Sequence, residues 1–487
     1  MLAVTCVVIS LIGALAVASA GLGADIGAND DTGTHEPESR AVFYDRMATL
    51  GLRQVVLTVR FDPTVETGIA NPELLDASVT AARARGLRVV FAVYPYPPRV
   101  IESGSVTPAG FASWLARLAG RYPSVRQYIV GNEPNQPAFW RPQFSSRGKP
   151  VSAAAFGALL AAAYDTLKAI DPAIRVVGIG LSPRGNDRPR ARSNVSTSPV
   201  RFLAALGVWY RASGRTRPLM DALSLHAYPR SARDPVTRGY DWPNAGFVNL
   251  DRIRQALWDA FRGTGQPTTV TGLRIHLDEL GWQVGTEGHP GYRGAENVPV
   301  TTESAQAAAY AEVLRKAACD PDIAEVNVFG FYDDDERTGF QSALHRADGT
   351  AREAAEVVRA AIADGGASCR RLLARRWRSA RGVVSTPAPS AAMVEGAVDV
   401  RGPVGEGVTA LACWFGADVA DTDAALRLWR RAQEVPSRCA RAAAVPDRPL
   451  RLRLGWSDGE EQPVAVVVRL WAETNRSRTV LFVVPVR

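Results

Sequence analysis

The chain has 487 residues, of which 46% are hydrophobic and 22% charged, a composition that excludes wholesale disorder and a length that predicts more than one domain. Its 57 basic residues exceed its 49 acidic residues by eight, and most of the excess follows residue 366, where 19 arginines accompany 12 acids. Because neither a basic stripe nor an RNA-binding aromatic motif accompanies this excess, we expect no nucleic-acid partner.

The N-terminal segment is almost wholly apolar from residue 2 to residue 18 and ends in Ala18-Ser19-Ala20, which is typical of a signal-peptide cleavage site. The basic residues that usually precede such a run are missing. Residues 1–20 are therefore either a signal peptide or an uncleaved N-terminal anchor, and a buried first strand is the remaining alternative. Export is expected in both of the first two cases, with a membrane contact only if the segment is uncleaved.

The cysteines agree with export. Cys6 would leave with a signal peptide, and four others remain, which predicts two disulfides in an oxidising compartment with three possible pairings. We favour Cys319–Cys369 and Cys413–Cys439, because each pair closes a loop within one expected domain. Five scattered histidines and the lack of a C-x-x-C motif predict no metal site, and we expect no cofactor.

Residues 21–366 alternate short apolar runs with helical stretches. The strand candidates are 22–28, 53–61, 87–94, 125–131, 174–181, 222–226, 273–279 and 323–331. The helix candidates are 40–50, 72–85, 108–121, 152–170, 200–211, 249–261, 302–318 and 351–363. Continuous apolar strands are typical of parallel sheets buried on both faces. Eight such units predict an α/β fold, a (β/α)₈ TIM barrel. A doubly wound sheet is the alternative, but no glycine-rich phosphate turn follows the first strand.

The C-terminal part differs in composition. Residues 367–389 are rich first in arginine and then in proline and serine, which is typical of a linker. Residues 390–487 contain β-like runs at 397–400, 408–415, 450–454, 464–471 and 479–486. They predict a small all-β, sandwich-like domain. Carbohydrate binding and a spacer role both remain open for it.

Two glutamates follow predicted strands on opposite sides of the barrel mouth. Glu133 ends the fourth strand and Glu279 ends the seventh. Catalytic groups of TIM barrels stand at these C-terminal strand ends, and cleavage of a glycosidic bond requires one carboxylic acid and one carboxylate. Either residue alone would be typical of a salt bridge at the rim, whereas the pair predicts chemistry.

The motifs around these glutamates resemble those of a known clan. The sequence N-E-P at residues 132–134, followed by Asn135 and Trp140, resembles the acid/base motif of clan A glycoside hydrolases, as in families 5 and 39. The sequence D-E-L-G-W at 278–282 is similar to the clan's nucleophile strand. The resemblance covers about 345 residues. It implies a retaining glycosidase with Glu133 as acid/base and Glu279 as nucleophile, the first protonated and the second ionised at the start.

The same resemblance implies further site residues. Asn132 would donate a hydrogen bond to the sugar 2-hydroxyl, with a turn-forming role as the alternative. His226 and Tyr228 end the sixth strand, where the clan places a histidine and a tyrosine, and Tyr228 would donate to Glu279. A packed core histidine and a rim tyrosine are the alternative.

Aromatic residues near strand ends are candidates for covering the apolar faces of sugars. Trp282 is the favoured one, since it lies three residues after Glu279, and the others are Tyr94, Tyr96, Trp140, Phe331 and Tyr332. Family 5 usually has an arginine near Val56, whereas this chain has Arg60. Arg60 is expected either to donate to a carboxylate or to form a surface salt bridge, and this departure puts membership of family 5 in doubt.

The acidic run at residues 333–336 stands where family members more often have a tryptophan. It is interpreted as a solvated loop, with binding of calcium or sugar hydroxyls as the alternative.

The resulting hypothesis is a secreted, monomeric retaining glycosidase acting on a polysaccharide or glycoside. A glycan-binding barrel without turnover, with the tail as an adhesion module, is the alternative. An isomerase or aldolase is disfavoured, because none of the three lysines (Lys149, Lys168 and Lys316) ends a predicted strand, where a Schiff base would need one. The sequence leaves the sugar, the linkage, endo or exo action and the exact family open.

Overall fold

The structure is a computed structural model that describes residues 23–65, 68–367 and 369. In the C-terminal region it describes residues 390–394, 397–404, 408–414, 438–443, 449–455, 465–472 and 475–486. The expected signal peptide or anchor at 1–20 lies outside the described residues. So does the expected linker at 367–389, apart from residues 367 and 369.

Eight parallel strands close into a barrel in chain order. They are β1 (Asp25–Asn29), β2 (Gln54–Phe61), β3 (Arg88–Pro95), β4 (Gln127–Val130), β5 (Arg175–Leu181), β6 (Ala222–His226), β7 (Arg274–Leu280) and β8 (Ile323–Phe329). Parallel pairing of β1 with β8, in which Ile26 lies opposite Val326, completes the ring. The predicted TIM barrel is confirmed.

Helices follow the strands and surround the barrel. They are α1 (Thr32–His35), α2 (Arg40–Leu50), α3 (Pro72–Ala84), α4 (Arg99–Glu102), α5 (Pro108–Arg121), α6 (Ser152–Ile170), α7 (Pro199–Ala212), α8 (Leu250–Phe261), α9 (Glu303–Ala318) and α10 (Glu353–Asp364). The two four-residue helices α1 and α4 lie in the loops after β1 and β3. Among the described helices, α6 alone has the length and apolar composition of a membrane span. It packs between α5 and α7, with Phe156, Leu160 and Leu167 fully buried.

The barrel interior is layered. A small apolar cluster fills its middle, formed by Val56, Val90, Ala92, Ile129, Val177 and Ala222. At the N-terminal strand ends the interior is polar: Glu325 accepts hydrogen bonds from Arg88 at 2.9 Å and from Gln127 at 2.7 Å, and lies 3.2 Å from His276. These layers fill the middle and lower end of the barrel interior.

The C-terminal region forms two antiparallel sheets. Their strands are β9 (Ser390–Val394), β10 (Ala397–Val404), β11 (Val408–Trp414), β12 (Arg438–Ala443), β13 (Pro449–Gly455), β14 (Ala465–Ala472) and β15 (Asn475–Pro485). The strand orders are β13-β10-β9 and β12-β11-β14-β15. A shared core holds Val398 and Leu452 from the first sheet and Val466 and Val484 from the second. The predicted sandwich-like domain is confirmed, although β9 and β12 were not predicted.

Both favoured disulfides are present. Cys319 at the end of α9 bonds to Cys369 after α10, and Cys413 of β11 bonds to Cys439 of β12. The first ties the last two long helices of the barrel together, and the second joins neighbouring strands of one sheet.

Candidate active site

A cavity of about 890 Å³ opens at the C-terminal end of the barrel. Segments at or after the ends of all eight strands line it, including Asn29, Asn132 and Glu133, Tyr228 and Glu279. Both predicted catalytic glutamates therefore face one cavity.

Glu133 reaches the cavity because the chain turns sharply after β4. Gly131 has a φ of +108°, and a Cβ there would collide with the carbonyl oxygen of Ile179 on β5. Glu133 itself has a φ of +42°, a left-handed conformation that costs a non-glycine residue roughly 1 kcal/mol. Its amide donates to the carbonyl of Gly180 at 2.6 Å. The close contact between these two strand ends thus fixes the direction of the Glu133 side chain.

The side chain of Asn135 stabilises the turn after β4 through hydrogen bonds to the loop after β5. It is fully buried, and its side-chain oxygen accepts from the amide of Ser182 at 3.0 Å while its nitrogen donates to the carbonyl of Thr197 at 2.9 Å. All of these contacts are internal, so Asn135 connects the β4 and β5 loops.

Glu279 is held by three donors at the end of β7. The hydroxyl of Tyr228 donates to its Oε2 atom at 2.9 Å, and the Nδ2 atom of Asn29 lies 3.5 Å from its Oε1 atom. The Nδ1 atom of His226 lies 3.2 Å from Oε2. The expected contact of Tyr228 with Glu279 is therefore present.

His226 stands between the two glutamates. Its Nδ1 atom lies 3.0 Å from Oε1 of Glu133 and 3.2 Å from Oε2 of Glu279, so these two oxygens are at most about 6.2 Å apart. The opposite ring nitrogen, Nε2, lies 3.5 Å from Oδ2 of Asp278. His226 is buried and does not line the cavity. It contacts both carboxylates from outside the cavity.

The pKa of Glu279 in the cluster around His226 is shifted in a direction that differs from the expectation that this residue is ionised. Burial raises the pKa of Glu279 to about 8, with Asp278 and Glu133 adding to the rise, and this outweighs the opposing effects of His226 and Tyr228. Burial alone would lower the pKa of His226, but the carboxylates of Glu279, Asp278 and Glu133 raise it well above its ordinary value. The prediction that neighbouring donors keep Glu279 ionised at neutral pH is therefore wrong for the free protein.

Aromatic side chains form two walls of the cavity. On one side Phe340, which is 50% exposed, stacks on Tyr228 with ring centroids 6.4 Å apart and meets the edge of Phe329 at 4.9 Å. On the other side Tyr94 packs edge-on against Phe139 at 6.0 Å. Tyr94 thus lies where the sequence predicted.

Three other aromatic candidates are core residues. Trp140 and Trp282 are only 5% and 3% exposed, and they pack edge-on against Phe156 at 5.5 Å and Tyr310 at 5.3 Å. Phe331 is fully buried. Neither tryptophan lines the cavity, because the chain after β4 and after β7 turns both rings back against the helical layer. Their expected role in covering a sugar is corrected to core packing.

Arg60 lines the cavity but does not contact a carboxylate. Its Nε atom donates to the hydroxyl of Tyr94 at 3.2 Å, and its guanidinium lies over the ring of Tyr96 at 4.7 Å. Among the described residues no acidic side chain lies within 4.0 Å of it, so neither of its expected ion pairs forms.

Most of the acidic run after β8 is exposed, as its interpretation as a solvated loop predicted: Asp334, Asp335 and Glu336 are exposed and Asp333 is buried. Asp333 is buried and forms an ion pair with Arg352 at 2.6 Å, and its Oδ2 atom also accepts from the hydroxyl of Tyr292 at 2.6 Å. Asp335 and Glu336 pair with Arg293. Within the described chain no group of His, Cys, Asp and Glu side chains forms a metal site.

Sequence reasoning missed Asn29, Asp278, Phe329 and Phe340. The first three lie at the ends of predicted strands, and a polar or aromatic residue at that place was the available signal. β1 runs one residue further than predicted, to Asn29, and β8 ends two residues earlier, at Phe329. Phe340 comes from a loop, and nothing in its local sequence indicates its contact with Tyr228.

No protein-family model and no curated protein matches the sequence. Solved structures do resemble it. A family 39 glycoside hydrolase from Bacteroides cellulosilyticus WH2 is 15% identical with a TM-score of 0.48, over 89% of this chain and 79% of that one. A monomeric beta-xylosidase from Caulobacter crescentus CB15 is 13% identical with a TM-score of 0.44, over 89% and 94%. GH5_18 from Streptomyces cattleya is 16% identical with a TM-score of 0.47, over 76% and 84%.

The first and last of these structures belong to families 39 and 5, whose motifs the sequence resembles. At this identity and TM-score the similarity assigns neither a reaction nor a substrate to this chain. The two glutamates, the histidine between them and the cavity they face carry the functional argument.

Proposed function

We propose that this protein is a glycoside hydrolase that cleaves O-glycosidic bonds with retention of anomeric configuration. One observation carries the proposal: carboxylate oxygens of Glu133 and Glu279 contact the same histidine nitrogen at 3.0 and 3.2 Å, inside a cavity lined from all eight strand ends.

In the first step, the proton of the pair stands on Glu133, and an oxygen of the ionised Glu279 attacks the anomeric carbon while the bond from that carbon to the leaving oxygen breaks. Glu133 gives its proton to the leaving oxygen, and the sugar remains bound to Glu279 as an ester. In the second step Glu133 takes a proton from water, the water oxygen attacks the anomeric carbon, and the ester bond breaks to free Glu279.

The proximity of the two groups supports retention. Carboxyl groups stand about 5–5.5 Å apart in retaining enzymes and about 6.5–9.5 Å apart in inverting ones, which need space for a water. One histidine nitrogen contacts an oxygen of each glutamate, so these two oxygens are at most about 6.2 Å apart, which is compatible with the retaining separation. This shared contact supports direct attack by Glu279.

The surrounding residues support each role. Tyr228 donates to Oε2 of Glu279, the oxygen that faces His226, whereas Oε1 has the longer 3.5 Å contact with Asn29 and is the oxygen that we assign to the attack. The wall of Tyr228, Phe329 and Phe340 offers apolar surface for the C–H face of a sugar ring. Asn132 lines the cavity next to Glu133, where it would donate to a sugar hydroxyl.

We further propose that the protein acts outside the cytoplasm. Its two disulfides are favoured in an oxidising compartment, and the apolar segment at residues 2–18 supports export.

The test uses the full chain with a panel of nitrophenyl glycosides and polysaccharides. The variant Glu133→Ala is expected to retain the first step on substrates with good leaving groups and to gain rate with azide, which replaces water in the second step. Proton NMR of the first-formed sugar is expected to show the same anomer as the substrate.

Two outcomes would contradict the proposal in different ways. An inverted first product would contradict the nucleophile role of Glu279. Glycan binding without turnover by the wild-type chain on the whole panel would favour the non-catalytic, glycan-binding barrel.

A further inference from the structure

Two loops at the cavity mouth carry concentrated positive charge. They are residues 141–151 after β4 and residues 182–198 after β5. Together they contain seven basic residues and one acidic residue. Five of these basic residues, all exposed, form what we call the basic rim: Arg147, Lys149, Arg184, Arg190 and Arg192.

The two loops form one continuous surface. Gly148 faces Pro189, and a Cβ at Gly148 would lie 3.4 Å from the proline ring. Thr197 donates a hydrogen bond to the side chain of Gln143 at 3.1 Å. Because these contacts join the loops, the basic rim is a fixed feature of the cavity mouth.

The one acidic residue of these loops is already engaged. Asp187 accepts a hydrogen bond from the amide of Ser198 at 2.8 Å and lies 3.6 Å from Arg201, with its side chain turned inward. Its position at the start of α7 leaves the positive charge of the basic rim uncompensated within the loops.

The basic rim continues into the cavity. Arg184 and Asn194 of the β5 loop line it, and Arg60 lines it from β2. Within the described residues no carboxylate lies within 4.0 Å of Arg60 or Arg184. These two guanidinium groups can therefore bind an anion on a ligand.

Four acidic residues line the cavity besides the catalytic pair: Asp30, Asp31, Glu36 and Asp334. The Oδ2 atom of Asp30 accepts from the amides of Phe331 and Tyr332, and Asp31 accepts from the amide of Thr58. Asp334 accepts from the amide of Phe340, and Glu36 accepts from the hydroxyl of Ser39. Each of these carboxylates is thus held by a donor of the protein, and the groups of the cavity that can bind an anion are the guanidinium groups of Arg60 and Arg184.

We propose that the glycan recognised by this site is acidic, with carboxylate or sulfate groups that bind Arg184 inside the cavity and the basic rim outside it. The inference rests on the proposed function and names its substrate class. Guanidinium groups bind carboxylate and sulfate through paired hydrogen bonds, and a polymer longer than the cavity would extend over the exposed arginines.

The test measures binding separately from turnover. In a Glu279→Gln background, the variant Lys149→Gln/Arg190→Gln/Arg192→Gln is compared with Arg53→Gln/Arg83→Gln/Arg117→Gln. The second set removes the same charge from exposed arginines on α3, on α5 and before β2. Dextran sulfate and polygalacturonate are the acidic probes, dextran is the neutral probe, and an oligothymidylate is the non-carbohydrate polyanion.

We expect the rim variant to lose at least about tenfold in affinity for one or both acidic glycans at low ionic strength, with a smaller loss at high salt. The control variant should lose less than about twofold. Binding of the sulfated but not the carboxylated probe, or the reverse, identifies the anionic group.

Three results would overturn the inference: equal affinity for dextran and dextran sulfate, an equal loss in the control variant, or oligothymidylate binding as tight as that of the acidic glycans. Cleavage of neutral glycans alone by the wild-type chain would overturn this inference and leave the proposed function standing. Rim-dependent binding of acidic glycans with no hydrolysis of any substrate would overturn the proposed function instead.

Discussion

Two buried glutamates on adjacent strands, Glu279 and Glu325, lie at opposite ends of the barrel, each 3.2 Å from a histidine nitrogen. Their pKa values move in opposite directions. Burial raises the pKa of Glu279 to about 8. At Glu325, burial works in the same direction, but His276, Arg88 and Gln127 hold the pKa at about 2.

The difference arises from the balance of charges around each pair. At the upper end, His226 contacts three carboxylates, those of Glu133, Asp278 and Glu279. At the lower end, a single carboxylate is shared by a histidine, an arginine and an amide. An excess of carboxylates retains a proton that chemistry can use, whereas an excess of donors fixes a permanent charge. The barrel thus separates a carboxylate-rich cluster at its upper end, where we propose catalysis, from a donor-rich network at its lower end.

The largest expected effect is on turnover. Glu279→Gln should reduce kcat by at least about 10⁴-fold, because it removes the group that attacks the anomeric carbon. Glu325→Gln, on the neighbouring strand, should change kcat less than about threefold at a temperature where the variant stays folded. Steady-state kinetics on a hydrolysed aryl glycoside measure both. A comparable loss in the two variants would remove the functional distinction between the two ends.

The second effect is on stability. Glu325→Gln should lower the free energy of unfolding by about 3 kcal/mol at pH 7, because it leaves His276 and Arg88 without their buried partner. Since the pKa of Glu325 is lowered to about 2 from 4.5, its contribution is complete above about pH 4.5 and is lost as the pH falls toward 2. Urea denaturation at pH 7, 5 and 3.5 measures this decrease.

The control is Glu356→Gln, which changes an exposed glutamate on α10 and should cost less than about 0.5 kcal/mol. A loss at Glu325 no larger than at Glu356 would contradict the stabilising role of the lower network.

The sequence predicted the upper end better than the lower one. Glu133 and Glu279 follow apolar strands within motifs, so local sequence was enough to place both at the barrel mouth. His276, Gln127 and Glu325 lie inside strands far apart in the chain. Only the register between β4, β7 and β8 brings them together, and a single sequence does not show that register.

The same limit explains the errors at the cavity. Trp140 and Trp282 follow the two catalytic strands, as a sugar-binding aromatic would, but the direction of each ring depends on the path of the loop after the strand. Phe329 and Phe331 are only two positions apart in the sequence. Because β8 ends at Phe329, Phe329 lines the cavity whereas Phe331 is buried in the core.

The third effect is again on the free energy of unfolding, but at Glu279 it is expected to have the opposite sign. Glu279→Gln should stabilise the fold by about 1–2 kcal/mol at pH 8, because a neutral amide avoids the cost of burying a charge. The pKa of Glu279 in the folded chain, about 8, lies above its ordinary value of 4.5. Its favourable contribution is therefore complete below about pH 4.5 and is lost as the pH rises through 8. The difference in the free energy of unfolding between variant and wild type, measured by urea denaturation, should therefore grow from about pH 4.5 to about pH 8 and stay constant above that pH. A stability difference that decreases with rising pH would contradict the destabilising effect of ionised Glu279.

The smallest expected effect concerns Asp278, which contacts His226 from the side away from the cavity. Acid catalysis requires a proton in the carboxylate cluster, and the pKa of Glu279 is raised to about 8, so kcat/KM should fall above that pH. Asp278→Asn removes a negative charge that raises the pKa of both Glu279 and His226. The alkaline limb of kcat/KM should therefore move down by roughly half to one pH unit, whereas Glu325→Gln should leave it in place. A purely structural role for Asp278 would lower kcat without moving this limb. A shift to higher pH would mean that His226 and its three carboxylates do not share their charge in the way the geometry indicates.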